Sequence, residues 1–237
     1  MDIIQGIRVI GFDADDTLWH NETIYSLTQE KFKKLLSPYH SEEWIDKRLF
    51  ETEMGNLKFY GYGIKSFTLS MIETAVELSE GRITGEEIKT ILSFGREMMI
   101  TPVKVFDGVY DVLSQLSKEY KLLLVTKGDL IDQQSKIAQS RLESFFFGIE
   151  IVSNKLPETY EAILRRHKID PAHFLMVGNS LRSDVLPILE IGGQAVFIPY
   201  HITWAHEEVA AVEHENHQYF QLEDIGQLPS LLAGENI

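Results

Sequence analysis

The sequence predicts an α/β protein, a parallel sheet with helices on both faces, interrupted near its start by an all-helical insert. Three observations predict it. Apolar runs of strand length alternate with segments whose apolar residues recur at helical spacing. The first four runs each stop abruptly at polar residues. The chain between the first run, ending at Phe12, and the second, starting at Lys121, is far longer than the dozen or so residues a parallel crossover needs.

The first run, Ile7 to Phe12, is β-branched and aromatic and ends at Asp13-Ala14-Asp15-Asp16-Thr17. Helical spacing then governs Glu22 to Leu36, a segment opened by Ser41-Glu42-Glu43, Phe67 to Leu78, and a segment opened by Thr84-Gly85-Glu86-Glu87. No strand pattern occurs between Trp19 and Ile100, and a structureless loop of that length is improbable. Residues 19–100 are therefore expected to form an inserted helical domain, with 1–18 and 101–237 forming the α/β core. A helix opens at Asp107-Gly108. The second strand, Lys121 to Val125, ends in Thr126-Lys127-Gly128-Asp129, and a helix follows to about Leu142. Phe147 to Val152 is a strand ending in Ser153-Asn154-Lys155, and Thr159 to His167 is a helix. His173 to Val177 is a strand ending in Gly178-Asn179-Ser180, with Pro187 in the first turn of the next helix. Gln194 to Ile198 is a strand, and Tyr219 to Leu222 is a candidate for a last short one.

Composition narrows the function. The 237 residues are 44% hydrophobic, enough for a sizeable core. A net charge of −14 argues against a nucleic-acid polymer as partner, although one local cationic site can still hold a small phosphorylated metabolite. With no cysteine there is no disulfide, thiolate metal site or cysteine nucleophile. The N-terminus has no basic region followed by an apolar stretch, and no run approaches the roughly 18 apolar residues of a membrane span. A cytoplasmic protein without a membrane partner is expected.

In an open α/β sheet, ligands bind outside the carboxyl ends of the strands. Four βα corners there carry reactive types: Asp13 with Asp15, Thr126, Lys155, and Asn179 to Asp184. Side chains two apart on an extended chain point the same way, so Asp13 and Asp15 are expected to face one point and repel unless a cation relieves them. Magnesium, a hard ion taking oxygen ligands, is the simplest relief. Carboxylates, a hydroxyl and an ammonium together make a phosphoryl-transfer kit.

Asp13-Ala14-Asp15-Asp16-Thr17 resembles the first motif of the haloacid dehalogenase-like superfamily, four apolar residues followed by Asp-x-Asp-x-Thr. Thr126 resembles the second motif, Lys155 the third, and Gly178-Asn179-Ser180-Leu181-Arg182-Ser183-Asp184 the fourth, commonly Gly-Asp-x-x-x-x-Asp; Asn179 departs from it. The likeness extends over essentially the whole chain and implies a Rossmann-like core with a helical cap domain inserted after the first motif. It implies Asp13 as nucleophile forming an aspartyl-phosphate. Asp15 would be the acid that then activates water, and its backbone carbonyl would bind Mg2+. Thr126 and Lys155 would act on the phosphate, with Lys127 a further candidate contact. Asp184 would complete the metal site, with Asn179 a neutral ligand or hydrogen-bond partner. The function expected is a magnesium-dependent phosphatase acting on a small phosphomonoester. Its rivals are a phosphomutase, a haloacid dehalogenase-type hydrolase and a non-catalytic binding protein on the same core.

Blander roles compete for each residue. Asp16 is expected to be solvated or to support the site, and Lys127 to be solvated; Thr126 could cap a helix, Lys155 could pair with Glu158 at the surface, and Asp184 could cap the helix holding Pro187. Phe59-Tyr60-Gly61-Tyr62-Gly63 could be a loop bringing Tyr60, Tyr62 or Lys65 to substrate, but such aromatics more often pack helices together. His201, Trp204, His206, His214 and His217 look like a metal cluster but lack the His-x-x-x-His spacing of a helical site.

Overall fold

The computed structural model describes residues 4, 6–202 and 218–235. The chain divides into two compact units. One comprises residues 1–22, 103–127 and 135–237; the other comprises residues 23–102 and 128–134.

The first unit is built on a six-stranded sheet of order β3-β2-β1-β4-β5-β6, parallel throughout. Its strands are β1 (Val9–Phe12), β2 (Lys121–Lys127), β3 (Gly148–Val152), β4 (Phe174–Gly178), β5 (Gln194–Phe197) and β6 (Phe220–Gln221). The strand order reverses at β1, so the crevice between β1 and β4 is the switch point where ligands bind.

Alternation along each central strand explains two apolar layers. Ile10, Phe12, Leu122, Leu124, Leu175 and Val177 point to one face, under α5 (Val109–Leu116) and α9 (Leu228–Leu232). Val9, Leu123, Val125, Phe174 and Met176 point to the other, under α7 (Pro157–His167) and α8 (Leu186–Glu190). Gly11 sits where a Cβ would lie 2.4 Å from the Phe174 ring, so β1 meets β4's side chains only because it lacks one. β2 runs two residues beyond the apolar stretch, because Thr126 and Lys127 still pair with Ile151 and Val152.

The second unit contains α1 (Glu22–Leu36), α2 (Glu42–Tyr60), α3 (Ile64–Leu78) and α4 (Gly85–Ile100). Phe32, Leu36, Ile45, Leu49, Phe67, Met71 and Ile91 form its own core. Thr84 and Glu87 close a capping box on α4. The sequence places the start of α3 at Phe67, but it begins at Ile64, directly after Gly63. α2 continues through Phe59 and Tyr60, which are 71% and 56% exposed, so these aromatics do not pack helices together. Lys65 pairs with Asp129 at 3.0 Å.

The two stretches that lead toward and from the helical segment run side by side. Trp19 and Val105 form an antiparallel bridge, and His20 N–H donates to the Lys104 carbonyl at 3.0 Å. Trp204, His206, His214 and His217 lie outside the described residues; the His201 ring contacts that of Tyr200 at a tilt of 55°. Among the described residues no helix is long and apolar enough to cross a membrane.

Candidate active site

Asp13 is the first residue past β1, and its N–H donates to the Val177 carbonyl of β4 at 2.9 Å. The chain does not stay extended beyond it. Leu18 N–H donates back to the Ala14 carbonyl at 2.8 Å, and Asp16 has a φ of 62°. The i, i+2 reasoning therefore fails here, and the Asp13 and Asp15 side chains find different partners. Asp13 Oδ1 accepts from Lys155 Nζ at 2.5 Å and Oδ2 from Thr17 Oγ1 at 2.9 Å. Asp15 accepts from Trp19 Nε1 at 2.7 Å and from Lys136 Nζ at 2.8 and 2.7 Å.

Lys155 is buried, donating to Asp184 Oδ1 at 2.6 Å as well as to Asp13, so the surface pairing with Glu158 does not occur. Asp184 Oδ2 accepts from the Ser180 amide at 3.0 Å. Asp184 lies in a π-helical turn, Leu181–Val185, whose Ser183 carbonyl accepts from the buried Tyr160 hydroxyl at 3.0 Å. At Gly178 a Cβ would stand 2.3 Å from the Asp184 carboxylate, so only glycine lets that carboxylate lie against the end of β4.

One ammonium thus faces two buried carboxylates. Burial works against the Lys155 ammonium, but Asp13 and Asp184 outweigh it and hold its pKa well above the ordinary lysine range. Burial pushes the Asp13 carboxyl up to about 7; Lys155 pulls it down, and Asp184 pushes it up again. The cluster of Asp13, Asp184 and Lys155 is one positive charge short.

The Asn179 amide terminus supplies the geometry for that charge. It lies 3.2 Å from Asp13 Oδ2 and 3.2 Å from the Asp15 carbonyl. With its nitrogen turned inward the amide donates to both. With its oxygen there, the amide accepts from the Thr17 hydroxyl at 3.3 Å and converges with Asp13 Oδ2 and the Asp15 carbonyl, oxygens of the kind a hard cation takes. Among the described residues no three His, Cys, Asp or Glu side chains gather as a metal cage, so this set is mixed: carboxylate, carbonyl and amide.

Thr126 lies fully buried in β2, one residue from its end, and among the described residues its hydroxyl has no hydrogen-bond partner. It caps no helix, and an orphaned buried hydroxyl fits a ligand oxygen. Lys127 is half-buried and donates to Ser183 Oγ at 3.1 Å. Asp16 is neither solvated nor aimed at the cluster: it is buried, and its carboxylate accepts from the Asn21 and Glu22 amides at 2.8 to 3.1 Å, where α1 begins. Burial pushes its carboxyl up to about 7.

Sequence reasoning missed Lys136, Trp19 and Tyr160. Trp19 lies four residues from Asp15, a local signal that could have been read. Lys136 on α6 (Leu130–Ser140) and Tyr160 on α7 look like any other helical side chains.

The family model described as a haloacid dehalogenase-like hydrolase matches residues 7–192. A solved haloacid dehalogenase-like hydrolase from Xanthomonas campestris is 38% identical, with a TM-score of 0.86, covering 97% of this chain and 91% of that one. The N-acylneuraminate-9-phosphatase of Mus musculus is 26% identical over 200 residues, 80% of this chain and 81% of its own length. The glyceraldehyde 3-phosphate phosphatase of Pyrococcus furiosus is 26% identical over 144 residues, 57% of this chain and 58% of its own. The matched segment contains all four polar corners in order, on the fold they were expected to occupy, and the chain belongs to the haloacid dehalogenase-like hydrolases.

Proposed function

We propose that the chain is a magnesium-dependent phosphatase that hydrolyses a small phosphomonoester through a phosphorylated Asp13. The observation that carries this reading is the division between two carboxylates. Asp13 is buried against Lys155 and Thr17, while the Asp15 carboxylate, two residues on, is oriented by separate donors. A nucleophile and an independent acid–base group are what transfer to an alkoxide leaving group requires. A dehalogenase expels a halide, which needs no proton, and gains nothing from an oriented acid.

In this reading Asp13 attacks phosphorus, and Asp15 gives its proton to the leaving oxygen. Asp15 then takes a proton from the water that attacks the phosphorylated intermediate. Lys155 neutralises charge on the transferring group, and the Thr126 hydroxyl, without a protein partner, donates to a phosphate oxygen. Asp13 Oδ2, the Asp15 carbonyl and the Asn179 amide oxygen would hold magnesium, which supplies the missing positive charge. The sequence argument gave Asp184 the direct role and Asn179 the assisting one. The geometry supports the reverse weights, because the Asn179 amide terminus lies 3.2 Å from both Asp13 Oδ2 and the Asp15 carbonyl, whereas Asp184 accepts from Lys155 and the Ser180 amide. Lys127, tied to Ser183, supports that turn, and its contact with substrate is secondary.

The helical segment, residues 19–100 by the sequence, acts as the cap that selects substrate. Relatives named N-acylneuraminate-9-phosphatase and glyceraldehyde 3-phosphate phosphatase favour a small phosphorylated metabolite as substrate. The test is a panel of phosphomonoesters with purified protein and magnesium, with no acceptor added. Release of inorganic phosphate supports the reading; phosphate transfer only when an acceptor is present would instead make the chain a mutase.

A further inference from the structure

The Asp15 carboxylate is gripped by a residue that no motif predicts. Lys136 Nζ donates to Oδ1 at 2.8 Å and to Oδ2 at 2.7 Å, and Trp19 Nε1 donates to Oδ1 at 2.7 Å. The same ammonium donates to Asn21 Oδ1 at 3.1 Å. The Lys136 and Asp15 side chains are 12% and 20% exposed, so this is not a solvated surface pair.

We propose that Lys136 is a positioning residue for the second half of the reaction, seating Asp15 as a carboxylate while water attacks phosphorylated Asp13. The inference rests on the phosphatase reading above. In the first half-reaction an Asp13 oxygen bonds to phosphorus, the bond from phosphorus to the leaving oxygen breaks, and the Asp15 proton goes to that oxygen. In the second, a water oxygen bonds to phosphorus and one water proton goes to Asp15. The bond from phosphorus to Asp13 breaks, and its electron pair returns to Asp13.

A lysine ammonium has donors and no acceptor, and an indole N–H is likewise only a donor. The two-oxygen grip therefore holds Asp15 in place as the acceptor that the attacking water needs. Asn21 accepts from the same ammonium, which fixes Lys136 itself.

Lys136→Met and Lys136→Gln remove the charge at similar length, and Lys136→Arg keeps it. Each folded variant, checked by circular dichroism, is mixed with p-nitrophenyl phosphate and magnesium in a stopped-flow instrument. That leaving group departs without a proton, so the first half-reaction proceeds without help from Asp15. The expected result is a burst of p-nitrophenol approaching one per active site, followed by steady turnover slower than wild type by about a hundredfold or more. The Met and Gln variants should also show one kcat for p-nitrophenyl phosphate and for an alkyl phosphate, since hydrolysis of the intermediate limits both. Lys136→Arg should recover most of kcat. No burst in either uncharged variant, or an Arg variant as slow as the Met variant, overturns the inference. A purely structural role would slow both half-reactions and give no burst. If wild type hydrolyses neither ester, the phosphatase reading fails and the inference falls with it; if wild type turns over and no burst appears, only the role of Lys136 fails.

Discussion

Asn179 and Asp184 lie in one short stretch yet meet different partners, and that separates what their loss should do. Asn179 presents its amide to Asp13 and the Asp15 carbonyl, whereas Asp184 is spent on Lys155 and the Ser180 amide. Asn179→Ala should raise the half-saturating magnesium concentration by about tenfold or more, while Asp184→Asn should lower kcat and move that concentration by less than about threefold. Magnesium titrations of activity on the two variants distinguish these; the opposite pattern would return the direct role to Asp184. The residue types at Asp13, Thr126 and Lys155 were legible because each follows an apolar strand on the same sheet edge. Their partners were not, because nothing in the pattern of α6 or α7 separates Lys136 or Tyr160 from an ordinary helical residue, and their contacts exist only once the chain has folded. Glu53 on α2 offers a test of stability. Burial pushes its carboxyl from 4.5 to about 8. The folded state therefore favours the protonated acid, so its contribution is fully present below pH 4.5 and is lost as pH rises through about 8. Glu53→Gln should match wild type near pH 4 and exceed it above pH 8 by about 1 kcal/mol or more in urea unfolding. Equal stability at both pH values would refute this.

At the scale of elements, apolar periodicity located every described strand and α-helix of the core except α9, and each disagreement has a local physical cause. β2 carries Thr126 and Lys127 in its ladder because pairing with β3 holds polar residues as readily as apolar ones. α7 begins at Pro157, whose missing N–H costs nothing at a first helical position. The turn after Asp13 defeats an extended-chain argument because Asp16 adopts a positive φ and uses its carboxylate to hold the start of α1. A sequence shows that a strand ends, but not which way the chain turns afterwards. β4 and its following turn act together through Gly178. Gly178→Ala should force a Cβ into the Asp184 carboxylate, costing about 1–3 kcal/mol of stability through overpacking and lowering kcat with it. Urea unfolding and steady-state kinetics on the one variant check both; unchanged values would mean the close approach is not maintained in solution.

For the molecule as a whole, the sequence foresaw an α/β sheet and a separate run of helices from the length of chain between β1 and β2. One compact unit combines residues 23–102 with 128–134, a grouping no local pattern announces. Lys65 and Asp129 illustrate why: they pair across a long span of sequence. The net charge of −14 is equally a property of the whole, and in the proposed reading Lys155 together with a metal would make this pocket the natural focus for an anionic substrate. The central claim is that this pocket puts phosphate on Asp13. It is tested most directly by quenching the protein during turnover of a phosphomonoester with magnesium, reducing it with borohydride and sequencing the peptide that contains residue 13 by mass spectrometry. An acyl phosphate at Asp13 would be reduced to homoserine at that position alone. Asp13→Asn should show neither the product nor more than about 1% of wild-type turnover. Turnover with unmodified Asp13 in the quenched wild type, together with substantial activity in Asp13→Asn, would contradict the account.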